Sequence, residues 1–184
     1  SLILGAGKST RMKANKSKLL FNIAGKPVIN HIISSLKEAN AKNNLCVINK
    51  NSGEIKKILD SEKVKHVYQT VLNGTAGAVK AALKKKPVSN SKLLILCGDI
   101  PFIKSNSIKR IINKLKTYDA VVGTVEIDNP RGYGRIIREN NKFKSMIEEK
   151  ETTALQRQIK EVNTGIIAIH EKVLREYISQ IKNN

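Results

Sequence analysis

Short apolar segments alternate with amphipathic segments along the first two thirds of this chain. The short segments are rich in β-branched residues, as in buried strands, and the longer ones repeat apolar residues every three or four positions, as in helices. This alternation predicts βαβ units, and therefore a mainly parallel sheet with helices on both faces. After residue 120 strand follows strand, which predicts antiparallel additions and a mixed sheet. Predicted strands cover residues 2–4, 45–49, 64–68, 93–97, 120–125, 134–138, 143–147 and 164–169, and predicted helices cover 28–39, 53–60, 75–83, 107–115 and 171–181.

The loop after the first predicted strand has the composition of a phosphate-binding segment. Gly5 and Gly7 follow the apolar strand, and hydroxyl residues and the cations Arg11 and Lys18 follow them. Glycines let a backbone approach phosphates closely, and N–H groups and cations stabilise the negative charge. The Gly-Lys-Ser sequence is not a P-loop, because a P-loop has a glycine where this chain has Leu2. We therefore expect a nucleoside triphosphate site of another kind; the alternative is a tight turn that binds no ligand.

Two further polar segments follow predicted strands. Ligands of open α/β sheets bind beyond the carboxyl ends of the strands, and residues 69–77 and the pair Gly98-Asp99 follow the third and fourth predicted strands. We therefore expect both segments to lie near the glycine loop. Asp99 follows a buried strand and a glycine, where a carboxylate can hold Mg²⁺ against phosphate oxygens. The alternative role for Asp99 is turn formation before Ile100-Pro101.

The second half of the chain contains residue types that suit a sugar ligand. The glycines on either side of Tyr133 predict close approach of a ligand, with a simple β-turn as the alternative. Asn163 and Thr164 offer an amide and a hydroxyl to sugar hydroxyls, and Glu148 lies in a neighbouring strand region. None of these residues alone indicates a sugar site, so the prediction depends on their occurring together.

Charge and cysteine content narrow the class of protein. The formal net charge is +19, but aromatic residues make up only 4% of the chain and none interleave with basic clusters. Stacking platforms for bases are therefore missing, and we expect no nucleic-acid partner; the basic surface would instead attract anionic nucleotides. Cys46 and Cys97 lie in apolar strand-like runs, which predicts reduced thiols in a cytoplasmic protein. No apolar run is long enough to span a bilayer, so we expect no membrane partner.

Together these segments resemble the bacterial N-acetylglucosamine-1-phosphate uridylyltransferases, as the N-terminal pyrophosphorylase half of a bifunctional enzyme. The resemblance covers nearly all 184 residues. It implies an α/β, Rossmann-like nucleotidyltransferase fold in one domain over residues 1–184, without the β-helix acetyltransferase domain. Because the chain begins inside a strand without an initiator Met, we expect this domain to be truncated at both ends. The residues that carry the resemblance are 4–12, 74–75, 98–101, 132–135 and 156–165, of which the first set is shared by sugar nucleotidyltransferases in general and the last is the most specific.

The resemblance implies a reaction and a set of site residues. UTP and N-acetylglucosamine 1-phosphate would give UDP-N-acetylglucosamine and pyrophosphate with Mg²⁺, by in-line attack of the sugar phosphate oxygen on the α-phosphorus of UTP. Positioning and charge neutralisation carry such a reaction without a covalent protein nucleophile. Arg11 and Lys18 would be catalytic and would contact the phosphates, and Asp99 would hold the metal. The implied substrate contacts are Leu4, Gly5, Ala6, Gly7, Lys18, Gln69, Gly74, Thr75, Cys97, Gly98 and Asp99, with Gly134, Glu148, Asn163 and Thr164 on the sugar.

Some positions depart from the pattern of this family. Leu72 stands where a second glutamine near the base is usual, and Cys97 stands where an aromatic residue is frequent. The family's second metal-binding Asn lies beyond Asn184. By the resemblance the parent protein would be a homotrimer through its C-terminal domain, and this fragment a monomer. The alternatives are a related nucleotidyltransferase with another base or acceptor, such as a hexose 1-phosphate or a molybdopterin, a non-catalytic binding module, and a basic nucleic-acid-binding protein.

Overall fold

The computed structural model describes residues 1–7, 17–85 and 89–181. The chain divides into two compact units, Ser1–Val121 with Ala168–Asn184, and Val122–Ile167. The elements in chain order are β1 (Leu2–Leu4), a 3-10 helix (Lys18–Leu20), β2 (Asn22–Ile23), β3 (Lys26–Pro27), α1 (Val28–Glu38), β4 (Leu45–Ile48), α2 (Gly53–Ser61), β5 (Lys65–Tyr68), α3 (Gly74–Lys85), β6 (Lys92–Cys97), α4 (Ser105–Lys114), β7 (Ala120–Glu126), β8 (Arg135–Glu139), β9 (Lys142–Ile147), a second 3-10 helix (Glu149–Glu151), α5 (Ala154–Arg157), β10 (Glu161–His170) and α6 (Glu171–Ile178).

Parallel strands form the sheet of the first unit, in the order β5-β4-β1-β6. The central strand β1 pairs with both neighbours, so that Ile3 lies opposite Cys46 on β4 and Leu96 on β6. Consecutive strand residues point to opposite faces, and both Leu2 and Ile3 are almost completely buried. Both faces of the sheet are therefore covered, as a parallel sheet requires. This confirms the predicted parallel α/β architecture.

The second unit is built from antiparallel pairs. Strands β8 and β9 form a hairpin whose two connecting residues, Asn140 and Asn141, have φ angles of 49° and 61°. Two consecutive positive φ angles are typical of the tight turns that match strand twist in hairpins, and asparagine tolerates them well. Strand β10 then pairs with β8 in antiparallel fashion, with Val162 opposite Arg135, and β7 pairs with β10. The predicted change to antiparallel strands after residue 120 is confirmed.

The structure adds elements that the sequence pattern did not predict. Strands β2 and β3 contain two residues each and form a hairpin around Ala24 and Gly25, and two residues are too few to display a periodicity. The four-residue helix α5 begins at a capping box formed by Thr153 and Gln156. Its apolar content is too low to mark it as a helix. Among the described residues, no helix is long and apolar enough to cross a membrane.

Candidate functional site

A cation and a carboxylate meet where two parallel strands of the first unit end. The Nζ atom of Lys18 lies 2.6 Å from Oδ2 of Asp99. Asp99 follows the carboxyl end of β6, and Lys18 begins the short 3-10 helix that follows the glycine loop. Side-chain exposure is 31% for Lys18 and 49% for Asp99, so both charges are accessible to a ligand. The prediction that the segments after β1 and β6 converge is confirmed for these two residues; their roles stay predictions.

The side chain of Leu19 holds this corner of the sheet together. A Cβ atom on Gly5 would lie 2.6 Å from Cδ1 of Leu19, and one on Gly98 would lie 2.6 Å from Cδ2 of Leu19 and 2.9 Å from the carbonyl oxygen of Leu4. Gly98 donates its N–H to that same carbonyl at 3.0 Å. Leu19 is fully buried, so it occupies the space above both glycines. Packing against backbone therefore favours glycine strongly at position 98, whereas at position 5 the closest atom belongs to the Leu19 side chain. The buried Leu19 anchors its neighbour Lys18 in the chain.

Gly7 differs from these two packed glycines. A Cβ atom on Gly7 would meet nothing within 4 Å among the described residues. Gly7 is exposed, whereas Leu4 is half-buried and Ala6 is buried. The predicted close approach of a phosphate therefore has room at Gly7 and not at Ala6. Arg11, predicted to bind phosphates, lies outside the described residues.

The segment after β5 is organised by a buried glutamine. Gln69 donates its backbone N–H to Ile48 at 2.8 Å, and its Nε2 lies 3.2 Å from Oδ1 of Asn73 and 3.1 Å from the carbonyl of Gly74. These bonds close the loop that leads into α3. Gly74, the first residue of α3, has a φ of +85°. Glycine adopts this backbone conformation more readily than other residues. Thr75 is exposed in the first turn, where backbone N–H groups have no partner within the helix.

Leu72 and Asn73 are the last two residues of the loop before α3. Leu72 is 39% exposed, so an apolar side chain stands where the family pattern has a second glutamine. A Cβ atom on Gly77 would lie 1.7 Å from Oδ1 of Asn73, so the Asn73 side chain folds back over the first turn of α3. The sequence patterns assign no role to Asn73. An asparagine just before a helix is a common capping signal and could have drawn attention to it.

Within the second unit, three of the predicted sugar-contact residues are neighbours. Asn163 donates its backbone N–H to the carbonyl of Gly134 at 3.0 Å, and a Cβ atom on Gly134 would lie 3.8 Å from Oε1 of Glu148. Thr164, the fourth, follows Asn163 on the same strand, so its side chain points to the other face. Its hydroxyl donates to the carbonyl of Gly123 at 2.7 Å. Gly134, Glu148 and Asn163 thus form a cluster, and the Thr164 hydroxyl lies apart from it.

Arg135 belongs to the glycine-rich motif of residues 132–135, but the sequence patterns predict no role for it. The structure buries Arg135 to 1% exposure and pairs its guanidinium with Glu149, with 2.7 Å between Nη2 and Oε2. A charged residue on the apolar face of a strand interrupts the usual alternation of buried and exposed residues. Such an interruption at the first residue of β8 is the signal that could have identified Arg135.

The two cysteines lie on strands either side of β1. Cys46 is fully buried and burial raises the pKa of its thiol to about 12. Cys97 ends β6, is half-buried and precedes Gly98. The chain contains no other cysteine, and neither of these two forms a disulfide, as the sequence predicted.

Asp99 suits a metal that is held by one carboxylate together with water and substrate, rather than a metal held entirely by protein ligands. Within residues 1–7, 17–85 and 89–181, no three His, Cys, Asp or Glu side chains form a metal-binding cluster. An all-protein cage for Zn²⁺ or Ca²⁺ is therefore not found in these ranges. Mg²⁺ differs, because it usually keeps several waters and binds one or two carboxylates together with substrate phosphates. The exposed Asp99 carboxylate fits that requirement.

An accessible cation, a carboxylate and an exposed glycine at the strand ends of a parallel α/β unit are features that suit a phosphate-bearing ligand. Comparison with known proteins places the chain in the class of the nucleotidyltransferases. The chain belongs to the family of the MobA-like NTP transferase domain, whose model matches residues 1–164.

Named relatives extend this assignment. The chain is 34% identical over 183 residues to the bifunctional protein GlmU of Acinetobacter baylyi, and 36% identical over 184 residues to that of Francisella tularensis subsp. novicida. Each match covers 100% of the chain and 40% of the relative, so the chain spans well under half of these proteins. These matches confirm the resemblance drawn from the sequence motifs.

The solved structure of an apo UDP-glucose pyrophosphorylase matches the whole chain and 80% of its own, with a TM-score of 0.78 and 16% identity. This likeness confirms the nucleotidyltransferase fold class.

Proposed function

We propose that this protein transfers a uridylyl group from UTP to N-acetylglucosamine 1-phosphate, with release of pyrophosphate. The first unit would bind the nucleoside triphosphate and the cluster in the second unit would bind the sugar phosphate. The observation that carries the proposal is the Lys18–Asp99 pair, 2.6 Å apart and accessible, where β6 ends. The family to which the protein belongs and its GlmU relatives support nucleotidyl transfer as the class of reaction.

Residues of the first unit would act on the phosphates. Asp99 would hold Mg²⁺, which when bound supplies positive charge to phosphate oxygens. Lys18 would exchange its contact with Asp99 for a phosphate oxygen and stabilise the charge that develops during transfer. The buried Leu19 anchors the backbone at Lys18, and the contact with Asp99 at 2.6 Å orients the ammonium group before the ligand binds. Gln69, Gly74 and Thr75 would bind the base, and Arg11 would contribute a further cation.

The second unit would supply both an acceptor and a donor to the sugar. The Asn163 side chain accepts the backbone N–H of Gly165 at its Oδ1 atom, at 2.9 Å. With Oδ1 used in this bond, Nδ2 of Asn163 would be the atom that donates to a hydroxyl or carbonyl oxygen of the sugar. The exposed Glu148 carboxylate would accept from sugar hydroxyls. Gly134, without a side chain, leaves space between the two.

The first test is pyrophosphate release by the purified chain with Mg²⁺, N-acetylglucosamine 1-phosphate and each of the four nucleoside triphosphates in turn. Release with UTP alone would support the proposal. Release with a purine triphosphate would instead support the related nucleotidyltransferase, a second candidate favoured by the apolar Leu72 in the base-binding loop. No release with any of the four would overturn the proposal for this chain.

A pair of variants tests the carboxylate. Asp99→Asn keeps the shape of the side chain and removes the charge, so metal-dependent release should fall about a hundredfold or more. Asp60→Asn is the matched control, because Asp60 is similarly exposed, at 57%, and lies near His66 rather than near a strand end. Equal activity of the two variants would remove Asp99 from the mechanism. The cytoplasmic location and the trimeric parent stay predictions.

A further inference from the structure

The guanidinium of Arg135 joins three segments of the second unit. Nη1 donates to the carbonyl of Tyr133, Nη2 donates to the carbonyl of Arg157 at 3.3 Å, and Nη2 also pairs with Glu149 Oε2 at 2.7 Å. These partners lie in the glycine turn before β8, at the end of α5 and in the second 3-10 helix. The side chain that connects them is 1% exposed, so solvent does not compete for these contacts.

Two of the segments that the Arg135 side chain contacts, and the strand that pairs with its backbone, each adjoin a residue of the proposed sugar cluster. Gly134 lies between Tyr133 and Arg135, so its backbone is held on both sides. Glu148 immediately precedes Glu149, the ion-pair partner. Asn163 donates to the carbonyl of Gly134 at 3.0 Å, one position beyond the strand pair that Arg135 makes with Val162. All three cluster residues are therefore one residue away from a contact of Arg135.

The burial of Arg135 is expensive unless its contacts are made. A buried charge costs several kcal/mol when a partner is missing, and within the described part of the chain Nε of Arg135 has no hydrogen-bond partner. An apolar residue at this position of β8 would avoid that cost. Arg138, on the same strand, shows the ordinary alternative: it lies 42% exposed and pairs with both carboxylate oxygens of Glu161 at 2.7 Å.

We propose that Arg135 is a positioning residue for the sugar phosphate. It acts through its neighbours, setting the Gly134 backbone and the Glu148 carboxylate at the spacing that the ligand requires. This inference rests on the proposed function, because that function assigns the cluster to the sugar. Catalytic and binding groups must be held within a fraction of an ångström, and displacement by about 1 Å can cost a hundredfold in rate.

The test compares Arg135→Lys and Arg135→Gln with Arg138→Gln as a matched control. KM for N-acetylglucosamine 1-phosphate should rise about tenfold to a hundredfold in both Arg135 variants, while KM for UTP stays within about twofold of the wild-type value. The lysine variant keeps the charge and should be the milder of the two. Arg138→Gln should leave both KM values unchanged. Thermal unfolding of each variant, followed by circular dichroism, reports stability separately.

The outcomes separate a positioning role from a structural one. If the Arg135 variants lose thermal stability but keep the wild-type KM for the sugar phosphate, or if both KM values rise together, the inference is overturned. Should Arg135→Gln fail to fold, Glu149→Gln removes the ion pair alone and must still raise the KM for the sugar phosphate selectively. A wild-type chain that releases no pyrophosphate overturns the proposed function and with it this inference. An active wild type with unaffected Arg135 variants overturns the inference alone.

Discussion

Lys18 and Asp99 are 81 positions apart in the chain, and their charged groups lie 2.6 Å apart at one edge of the first unit's sheet. The contact exists because β1 and β6 are adjacent parallel strands that end at the same edge. An exposed ion pair contributes little to stability, about 0–1 kcal/mol. We therefore expect the Lys18–Asp99 pair to serve phosphate binding rather than stability, with Lys18 as a cation and Asp99 as a carboxylate that would bind the metal.

Replacing Lys18 should impair transfer without unfolding the protein. Lys18→Met keeps an unbranched apolar side chain and removes the charge that would stabilise the transferred phosphate, so kcat/KM should fall about 100- to 1000-fold. Lys37→Met is the matched control, because Lys37 also pairs with a carboxylate, that of Glu62 at 2.5 Å. Lys37 lies near the end of helix α1 and not in a segment that follows β1 or β6. Steady-state pyrophosphate release measures both. Equal losses in the two variants would contradict a specific role for Lys18.

The two classes of glycine should respond differently to alanine. In Gly98→Ala the new Cβ would lie 2.9 Å from the backbone carbonyl oxygen of Leu4 and 2.6 Å from Leu19, and backbone cannot move aside cheaply. We expect the free energy of unfolding to fall by about 1–3 kcal/mol. In Gly7→Ala the new methyl group meets none of the described residues within 4 Å, so we expect stability to change by less than about 0.5 kcal/mol.

Denaturant unfolding and nucleotide titration together check this contrast. Gly7→Ala should weaken UTP binding at unchanged stability, because the methyl group would fill the space reserved for a phosphate. A Gly98→Ala variant of unchanged stability would contradict the close contacts with Leu19 and with the Leu4 backbone. Unaltered UTP affinity in Gly7→Ala would show that no phosphate approaches that glycine.

The two cysteines should differ in reactivity. Burial raises the pKa of Cys46 to about 12, so at pH 8 only about one Cys46 in ten thousand is a thiolate, the reactive form. Iodoacetamide should therefore spare Cys46 in the folded chain and modify the half-buried Cys97. Mg²⁺ with UTP should slow modification at Cys97, which precedes Gly98 and Asp99. Mass spectrometry of the alkylated peptides measures both rates, and rapid labelling of Cys46 under native conditions would contradict the structure.

Two glutamates should make stability depend on pH in the acid range. Hydrogen bonding from Lys37 lowers the pKa of Glu62, and hydrogen bonding from Arg138 lowers the pKa of Glu161. In the unfolded chain these carboxylates regain their ordinary value of 4.5, so the unfolded state binds protons first as the pH falls. Their contribution to stability is therefore present above pH 4.5 and is lost as the pH falls through the folded pKa.

Urea unfolding between pH 7 and pH 3 measures this effect. Glu161→Gln should lose less stability over the acid range than the wild type, by up to about 1 kcal/mol, because the pair with Arg138 is partly exposed and screened. The control is Glu139→Gln, next to Arg138 on β8, whose carboxylate is 65% exposed and pairs with Lys144. Parallel pH profiles for wild type and Glu161→Gln would rule out the linkage.

Much of the first unit could be predicted because its elements are long and strongly periodic. Helix α1 buries Ile29, Ile32, Ile33 and Leu36, the face that the spacing of its apolar residues predicts. Strands β1, β4 and β6 are continuous apolar runs, as expected for strands covered on both faces. The small elements were missed for the same reason: β2, β3 and α5 are too short to show a period, and local turn and capping contacts stabilise them.

Local composition and the apolar side of each element predict the types of element, the parallel then antiparallel order of strands, the glycine loop and the motifs that mark a nucleotidyltransferase. Three contacts could be read only from the folded chain: Lys18 with Asp99, Leu19 over both Gly5 and Gly98, and the buried Arg135 with Glu149. Such contacts join distant positions, and they depend on strand order and on side-chain shape, neither of which a hydrophobic period encodes.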